Sequence, residues 1–264
     1  PTVSAHIRQL EDELHETLFL RTTKSLAITP RGRELYDYAV QVLSLQDRLL
    51  SGWQQQSHII SLSVSTIPSA YILPELLPRF SALCPDVLFD IHQTDSAGVL
   101  RALRSGLCDL GLAGMSCAED SLVFTPFYHD AMVLIAPNTP EFSAARADGT
   151  PIDVLLRTHP LLLREAGSGS QKCVDDYFQF LGLAPDALRV TARLNDQESI
   201  KNLVAAGLIV SEKAIEREQT RGDLLVFPLQ GAAVRSLYLV QHRGDPLRPA
   251  LQQFIRFAAH FYLP

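Results

Sequence analysis

No apolar run in this 264-residue chain reaches the length of a membrane span, and no signal peptide opens it. Cysteine is scarce and scattered. Cys84, Cys108, Cys117 and Cys173 form no C-x-x-C pair and no Cys/His cluster with zinc spacing, which speaks against a disulfide framework or a structural metal. Buried free thiols of a cytoplasmic protein are the plain reading; a low-pKa redox thiol is the sharper alternative, with no local sign of it. Catalytic signatures are missing too. There is no Gly-x-Ser-x-Gly elbow, Walker loop, HExxH or dinucleotide fingerprint, and His92, His129, His159 and His242 lie apart without a paired motif. Nor is there an excess of positive charge. The net charge is −6, and through His58 six Lys and Arg stand against seven Asp and Glu. Nucleic-acid binding would have to rest on local clustering. A hydrophobic content of 47% and a charged content of 20% are ordinary for a globular protein, and the length allows two or more domains with real cores.

What is present begins at once. Val3, Ile7, Leu10 and Leu14 repeat at helical spacing and put one apolar stripe on one face. Thr2, Ser4, His6, Arg8 and Gln9 offer short or cationic groups suited to phosphates and base edges. Arg21-Thr22-Thr23-Lys24-Ser25 then reads as a polar turn before Leu26-Ala27-Ile28, the pattern of a β-wing. Thr29-Pro30 caps and starts another helix. Arg21, Lys24, Arg31 and Arg33 cluster around the wing, whereas Glu11, Asp12, Glu13 and Glu16 lie elsewhere.

The segment resembles the DNA-binding end of the LysR-type transcriptional regulators along Val3-Ser4, Ile7, Leu10-Glu11, Leu14, Leu18-Phe19, Arg21 and Thr29 to Gly32. The resemblance implies that residues 1–29 are the recognition helix and wing of a winged helix-turn-helix, with two supporting helices expected ahead of Pro1. It implies double-stranded DNA as partner and Thr2, Ser4, His6, Arg8, Arg21, Lys24, Thr29 and Arg31 as the DNA-facing residues. Two positions depart from the family pattern. His6 stands where Gln is usual. His15 stands where a helix-ending Gly is usual, so the turn there is expected to be built differently.

From Pro30 to about Gln56 no proline interrupts a helical pattern, and Leu35, Tyr38, Val42, Leu45 and Leu49 repeat at 3-4 spacing as a heptad seam. Such a helix would be about 40 Å long and could not bury its stripe alone. Residues 30–58 therefore read as a linker that pairs two subunits, with a core helix of the next domain as the alternative. The resemblance implies a homodimer and extends to a homotetramer.

From Ile59 strands and helices alternate: strands at 59–64, 87–93 and 109–113, with helices at 72–83 and 99–104, argue a parallel sheet covered on its faces. Thr66 to Ser69 reads as a turn. Two short strands follow, Val123-Phe124 and 132–135. A second run has strands at 161–163, 190–194, 208–210 and 224–227 and helices at 171–181, 197–206 and 213–218. A strand at 236–241 and an amphipathic helix at 246–261 close the chain. Leu73-Pro74, Phe80, Pro85, Gly106, Asp109-Leu110-Gly111-Leu112 and Ser168-Gly169-Ser170 are similar to the LysR-type effector domain, itself similar to periplasmic solute-binding proteins. The fold class is thus α/β: a partial winged helix-turn-helix, a long linker helix, and a two-lobed effector domain over 59–264, with lobe I at about 59–136 and 237–264 and lobe II at about 137–236. Against the family pattern, the turn at 207–210 is about three residues short.

Ligands of open α/β sheets bind beyond the carboxyl ends of strands. The polar residues there are Ser65 and Thr66, Thr94-Asp95-Ser96, the run Gly167-Ser168-Gly169-Ser170, and Asn195-Asp196. A Gly-Ser run opening a helix presents free N–H groups and hydroxyls to an anion. Ser65, Thr66, Thr94, Ser168, Gly169, Ser170 and Asn195 are the expected effector contacts, and a small anion or carboxylate the expected effector. No cofactor and no metal are expected. Each Ser or Thr could equally be an N-cap. The whole pattern implies a LysR-type, non-enzymatic regulator acting in the cytoplasm; a solute-binding protein or ligand-sensing module without DNA binding is the alternative, and residues 3–28 with the heptad helix argue against it.

Overall fold

The computed structural model of the chain describes residues 2–21, 26–53, 58–195, 208–215, 224–229, 231, 234–244 and 247–262. It divides into two compact units: residues 1–57 together with 105–107, and residues 58–104 with 108–264. Lys24, Asp196, the expected helix at 197–206 and the short turn before residue 208 fall outside the described residues, as do residues 216–218 of the helix expected at 213–218.

In the smaller unit, helix α1 (Thr2–Leu14) leads to the antiparallel strands β1 (Phe19–Arg21) and β2 (Leu26–Ile28), with Phe19 opposite Ile28 and Arg21 opposite Leu26. Helix α2 runs from Pro30 to Trp53. Thr29 is its N-cap: the Gly32 amide donates to Thr29 Oγ1 at 2.9 Å, and Pro30 takes the first helical position. Gly32 is fixed by close approach, since a Cβ there would sit 2.2 Å from the Leu18 carbonyl oxygen. Glu11 joins α1 to the wing by accepting the Leu18 and Phe19 amides at 2.8 and 2.9 Å. The turn at His15 is not rebuilt to suit the missing glycine. His15 itself adopts φ 55°, and the Glu16 amide donates to the Glu11 carbonyl at 3.2 Å, as a glycine-ended helix would have it. On the apolar stripe of α1, Ile7 and Leu10 are half-buried while Val3 and Leu14 stay exposed.

The larger unit is built around strands β3 (Ile59–Ser65), β4 (Leu88–Thr94), β5 (Leu110–Ala113), β6 (Leu122–Pro137), β9 (Leu208–Ser211), β10 (Leu224–Pro228) and β11 (Val234–His242), in the order β10-β6-β11-β5-β3-β4 with β9 also on β6. β3 pairs in parallel with β4 and β5, whereas every pairing of β6 is antiparallel, so the sheet is mixed. β7 (Leu161–Arg164) and β8 (Val190–Leu194) form a separate parallel pair.

Alternation makes these strands. On β3, Ile60, Leu62 and Val64 enter a core with Ile72, with Leu76 and Phe80 of α3 (Leu73–Leu83), and with Leu251, Phe254 and Ala258 of the last helix, α8 (Pro249–Phe261). Helix α4 (Ser96–Arg104) covers another face with Val99, Leu100 and Leu103. Gly111 permits its approach, because a Cβ there would lie 2.6 Å from Val99 and 2.7 Å from Leu103. A second core gathers Met132, Leu134, Leu155, Leu161, Tyr177 and Phe227. It lies among β6, β7, β10 and the helices α5 (Pro140–Ala147), α6 (Ile152–Thr158) and α7 (Gly169–Phe180).

Three further expectations need correction. The stretch expected as the turn 66–69 is helical and runs through a π-turn, Pro68–Ile72, into α3. The two short strands at 123–124 and 132–135 are one strand, β6, whose Pro126 is accommodated at a register shift: Tyr238 faces Pro126 and Leu237 faces Tyr128, leaving Phe127 as an extra residue turned into the core. In place of a helix from 213, a 3₁₀ turn spans Glu212–Ile215. Helices α5 and α6 have no counterpart in the sequence reading. Among the described residues no helix is long and apolar enough to cross a membrane.

Candidate functional site

The carboxyl ends of β3, β4, β7 and β8 converge on a cleft between the two cores. β3 ends at Ser65 and hands Thr66 to a helical run; β7 ends at Arg164, and the turn 165–168 starts α7. Two adjoining cavities result. The inner one is lined by Ser65, Thr66, Asp95, Ser96, Arg164, Ser168, Gly169, Ser170 and Arg235 and encloses only about 10 Å³, room for about one water. The outer one, of about 350 Å³, is lined by Thr66, Gln93, Thr94, Asp95, Arg101, Glu165 and Asn195. All seven residues expected at strand ends therefore face one cleft: Ser65, Thr66, Ser168, Gly169 and Ser170 inside, Thr94 and Asn195 outside, with Thr66 on both.

The inner wall is polar and buried. Ser65, Ser96, Ser168 and Ser170 are each about 5% exposed or less. Capping does not account for Ser168, which makes no side-chain cap bond to α7. For α4 the cap is Asp95, whose Oδ1 accepts the Gly98 amide at 2.6 Å, while Ser96 Oγ accepts the Gly114 amide at 3.1 Å. Ser168, Gly169 and Ser170, at the start of α7, line the same inner space, where the helix dipole favours negative charge.

Two arginines that the sequence reading missed complete the wall. Arg164 is 3% exposed. Its Nε donates to Glu165 Oε2 at 2.8 Å and its Nη2 to Glu165 Oε1 at 2.9 Å; Nη2 also lies 3.2 Å from the Asn195 carbonyl and 3.4 Å from Thr66 Oγ1. Arg235 pairs with the buried Asp130. A signal for Arg164 existed: it is the charged end of an otherwise apolar strand, Leu161-Leu162-Leu163, where burial continues through the last residue. Arg235 carries no comparable mark.

The two walls already touch. The Ala97 amide donates to the Gly167 carbonyl at 3.2 Å, and a Cβ on Gly169 would lie 2.5 Å from the Gly114 carbonyl oxygen. This is backbone against backbone, with no side chain left to yield.

Of the cysteines, Cys108 is buried and the others half-buried, all as free thiols. Burial pushes the Cys117 thiol up, helped by the Glu119 carboxylate, and burial does the same for Cys173. Neither has the depressed pKa of a reactive thiol. No group of three or more His, Cys, Asp or Glu able to hold a metal occurs among the described residues.

In the smaller unit, Ser4, His6 and Arg8 are exposed on α1. Thr2 begins α1, and Arg21 ends β1. The Thr29 hydroxyl is occupied by its cap and by donation to the Thr17 carbonyl at 2.7 Å. Arg31 is exposed and ion-paired with Glu34 at 2.8 Å and Glu16 at 3.6 Å.

Residues 54–262 match the family described as LysR substrate binding domain, and residues 1–33 match the bacterial regulatory helix-turn-helix protein, lysR family. The HTH-type transcriptional regulator YcgK of Bacillus subtilis is 28% identical over 280 residues, covering 98% of this chain and 85% of that protein. Among solved structures, the Synechocystis PCC6803 CcmR regulatory domain in complex with 2-PG superposes with a TM-score of 0.67 at 22% identity, over 78% of this chain and 97% of that one. The effector-binding domain of QuiR in complex with shikimate gives 0.64 at 18% identity, over 77% and 96%.

Proposed function

The chain belongs to the LysR-type family of transcriptional regulators, with a DNA-binding and an effector-binding region, and we propose that it is switched by a small anionic effector bound between the two cores of the larger unit. The observation that carries this reading is the wall of buried hydroxyls, two arginines and a helix N-terminus around one inner cavity. Arg164 and Arg235 already hold carboxylates and Ser96 a backbone amide, so the groups offered to an oxyanion are the Ser65, Ser168 and Ser170 hydroxyls and the first turn of α7, in a wall that carries two cations. The complexes of CcmR with 2-PG and QuiR with shikimate, on the same fold, accord with a ligand-operated domain. Asp95 and Glu165 put negative charge on the wall of the outer cavity, so an anion is favoured on the arginine side of the cleft.

DNA contact is assigned to Thr2, Ser4, His6, Arg8, Arg21, Lys24 and Arg31, with Thr29 acting chiefly through the cap of α2. Tyr38 and Val42, both exposed on α2, are the part of the heptad seam offered to a second subunit, giving a homodimer and, by further association, a homotetramer. The regulator would act in the cytoplasm. Ligand enters the switch only through a difference in affinity for two arrangements of the assembly.

A thermal-shift screen of small anions and carboxylates, followed by calorimetry on Ser168→Ala and Thr66→Val, tests the cleft. Each hydrogen bond to a charged ligand contributes about 1.5–3 kcal/mol, so each substitution should weaken binding by about tenfold or more. If both variants bind the selected compound as tightly as the parent protein, the site lies elsewhere.

A further inference from the structure

Arg164 is a buried cation whose fork is already occupied by the neighbouring side chain. Its Nε and Nη2 each meet one oxygen of Glu165, at 2.8 and 2.9 Å, the in-plane arrangement that a guanidinium makes with any carboxylate. The two residues look in different directions. Arg164 lines the inner cavity, while Glu165, with its side chain 25% exposed, lines the open outer one. The backbone on either side is fixed: the Arg164 amide donates to Gln171 Oε1 at 2.9 Å and the Glu165 amide to the Leu194 carbonyl at 3.1 Å. Only the Glu165 side chain is therefore free to leave, and it leaves toward water.

We propose that the effector is a carboxylic acid whose carboxylate exchanges with that of Glu165 on the Nε–Nη2 edge of Arg164, so that Glu165 is a built-in competitor setting the affinity of the site. The proposal rests on the cleft reading above and names the ligand class for it. Exchange solves a physical difficulty. A buried guanidinium left without a partner is costly, so an empty site needs a substitute anion. Glu165 supplies one in the ligand-free state, and the incoming carboxylate keeps Arg164 neutralised in the bound state. No bond is made or broken, and charge is balanced at both ends. Because the substitute is planar and two-oxygened, the site favours a planar carboxylate over a tetrahedral oxyanion.

The test is a titration of the full chain with acetate and, separately, with sulfate, read by thermal shift. Glu165→Gln removes the competing charge but keeps size and one acceptor. It should lower the melting temperature without ligand and tighten acetate binding by about threefold to tenfold, with a smaller gain for sulfate. Arg164→Lys should weaken acetate by about tenfold, because an ammonium cannot offer the fork. Asp176→Asn, which removes one negative charge from the exposed side of α7, should leave acetate binding unchanged and so excludes a general charge effect. A Glu165→Gln protein that binds acetate no better than the parent, or that gains as much for sulfate as for acetate, overturns the proposal. If Ser168→Ala and Thr66→Val weaken binding while Glu165→Gln fails to tighten it, only the exchange is wrong. If those two also have no effect, the cleft itself is.

Discussion

Arg235 reaches a single oxygen of Asp130 from two nitrogens, Nε at 2.9 Å and Nη2 at 2.7 Å, while Ser211 donates to the other carboxylate oxygen at 2.6 Å. Asp130 and Arg235 face each other on β6 and β11 where the two cores meet, and Ser211 arrives from β9. Both charged side chains are more than nine-tenths buried. Removing one member would leave an uncompensated buried charge, which costs roughly 3–5 kcal/mol. Asp130→Asn, which preserves shape, is expected to lose about 3 kcal/mol in urea unfolding, with the slope unchanged. A loss below about 1 kcal/mol would mean that water reaches Arg235 from the cleft.

Gly169→Ala should force the cleft walls apart. The added methyl would meet the carbonyl of Gly114, which is backbone, at 2.5 Å, and Ser96 Oγ at 2.8 Å. Overpacking of this kind costs about 1–3 kcal/mol. Hydrogen exchange should show the Ala97 amide, now bonded to Gly167, losing protection while amides of α8 keep theirs. Equal protection of Ala97 in both proteins would show that the contact yields elsewhere.

His15→Gly should stabilise the smaller unit. A non-glycine residue in the left-handed region costs about 1–2 kcal/mol, and His15 sits there at φ 55°. Glycine has greater freedom in the unfolded chain, which offsets part of the gain. The expected net effect is an increase of under about 1 kcal/mol, read as a higher melting temperature for that unit. His15→Val should move it the opposite way.

The pair Arg104–Glu119 gives a pH signature. The Arg104 guanidinium, bonded through Nε and Nη2, and then the Ser121 hydroxyl hold the Glu119 carboxyl down to about 2. An unfolded Glu titrates near 4.3. The folded value is depressed, so the stabilisation is present in full above about pH 4.3 and is lost as pH falls through about 2. Glu119→Gln should flatten acid unfolding over that interval and leave its course between pH 6 and 8 unaltered. The pair is part-exposed, so the effect should shrink in high salt.

The sequence disclosed most of the periodic structure because burial there is written in apolar spacing. Leu62 and Val64, Leu76 and Phe80, and Phe254 and Ala258 repeat with the period of the element that carries them. It disclosed the strand-end hydroxyls because chain direction alone places them. It hid what depends on a partner distant in sequence. β6 looked like two strands because Pro126 and Asp130 interrupt its apolar pattern; the bulge at Phe127 and the charge on Arg235 that make them tolerable lie on a pairing more than a hundred residues away. His15 is the reverse case: the residue type argued against a left-handed turn, and the Glu11 contacts to Leu18 and Phe19, with the Glu16 amide bond, outweighed it. Arg164 is hidden because its value depends on burial that composition does not reveal.

β6 carries a mechanical consequence. It is laced to β10 from Pro137 to Val133, to β9 from Ile135 to Met132 and to β11 from Ala131 to Leu122, with Phe127 left out at the bulge, so pairing continues as the strand crosses from one core to the other. A narrow ribbon laced along its length resists sliding, since a slip by one residue would break every rung and reverse every side chain. It yields readily to flexing and twisting across its flat face. Of the relative motions of the two halves, a swing about the seam would keep these rungs where a slide would break them, and a swing magnifies with distance from its axis. A displacement too small to notice beside Met132 becomes a larger arc at the far ends of both halves.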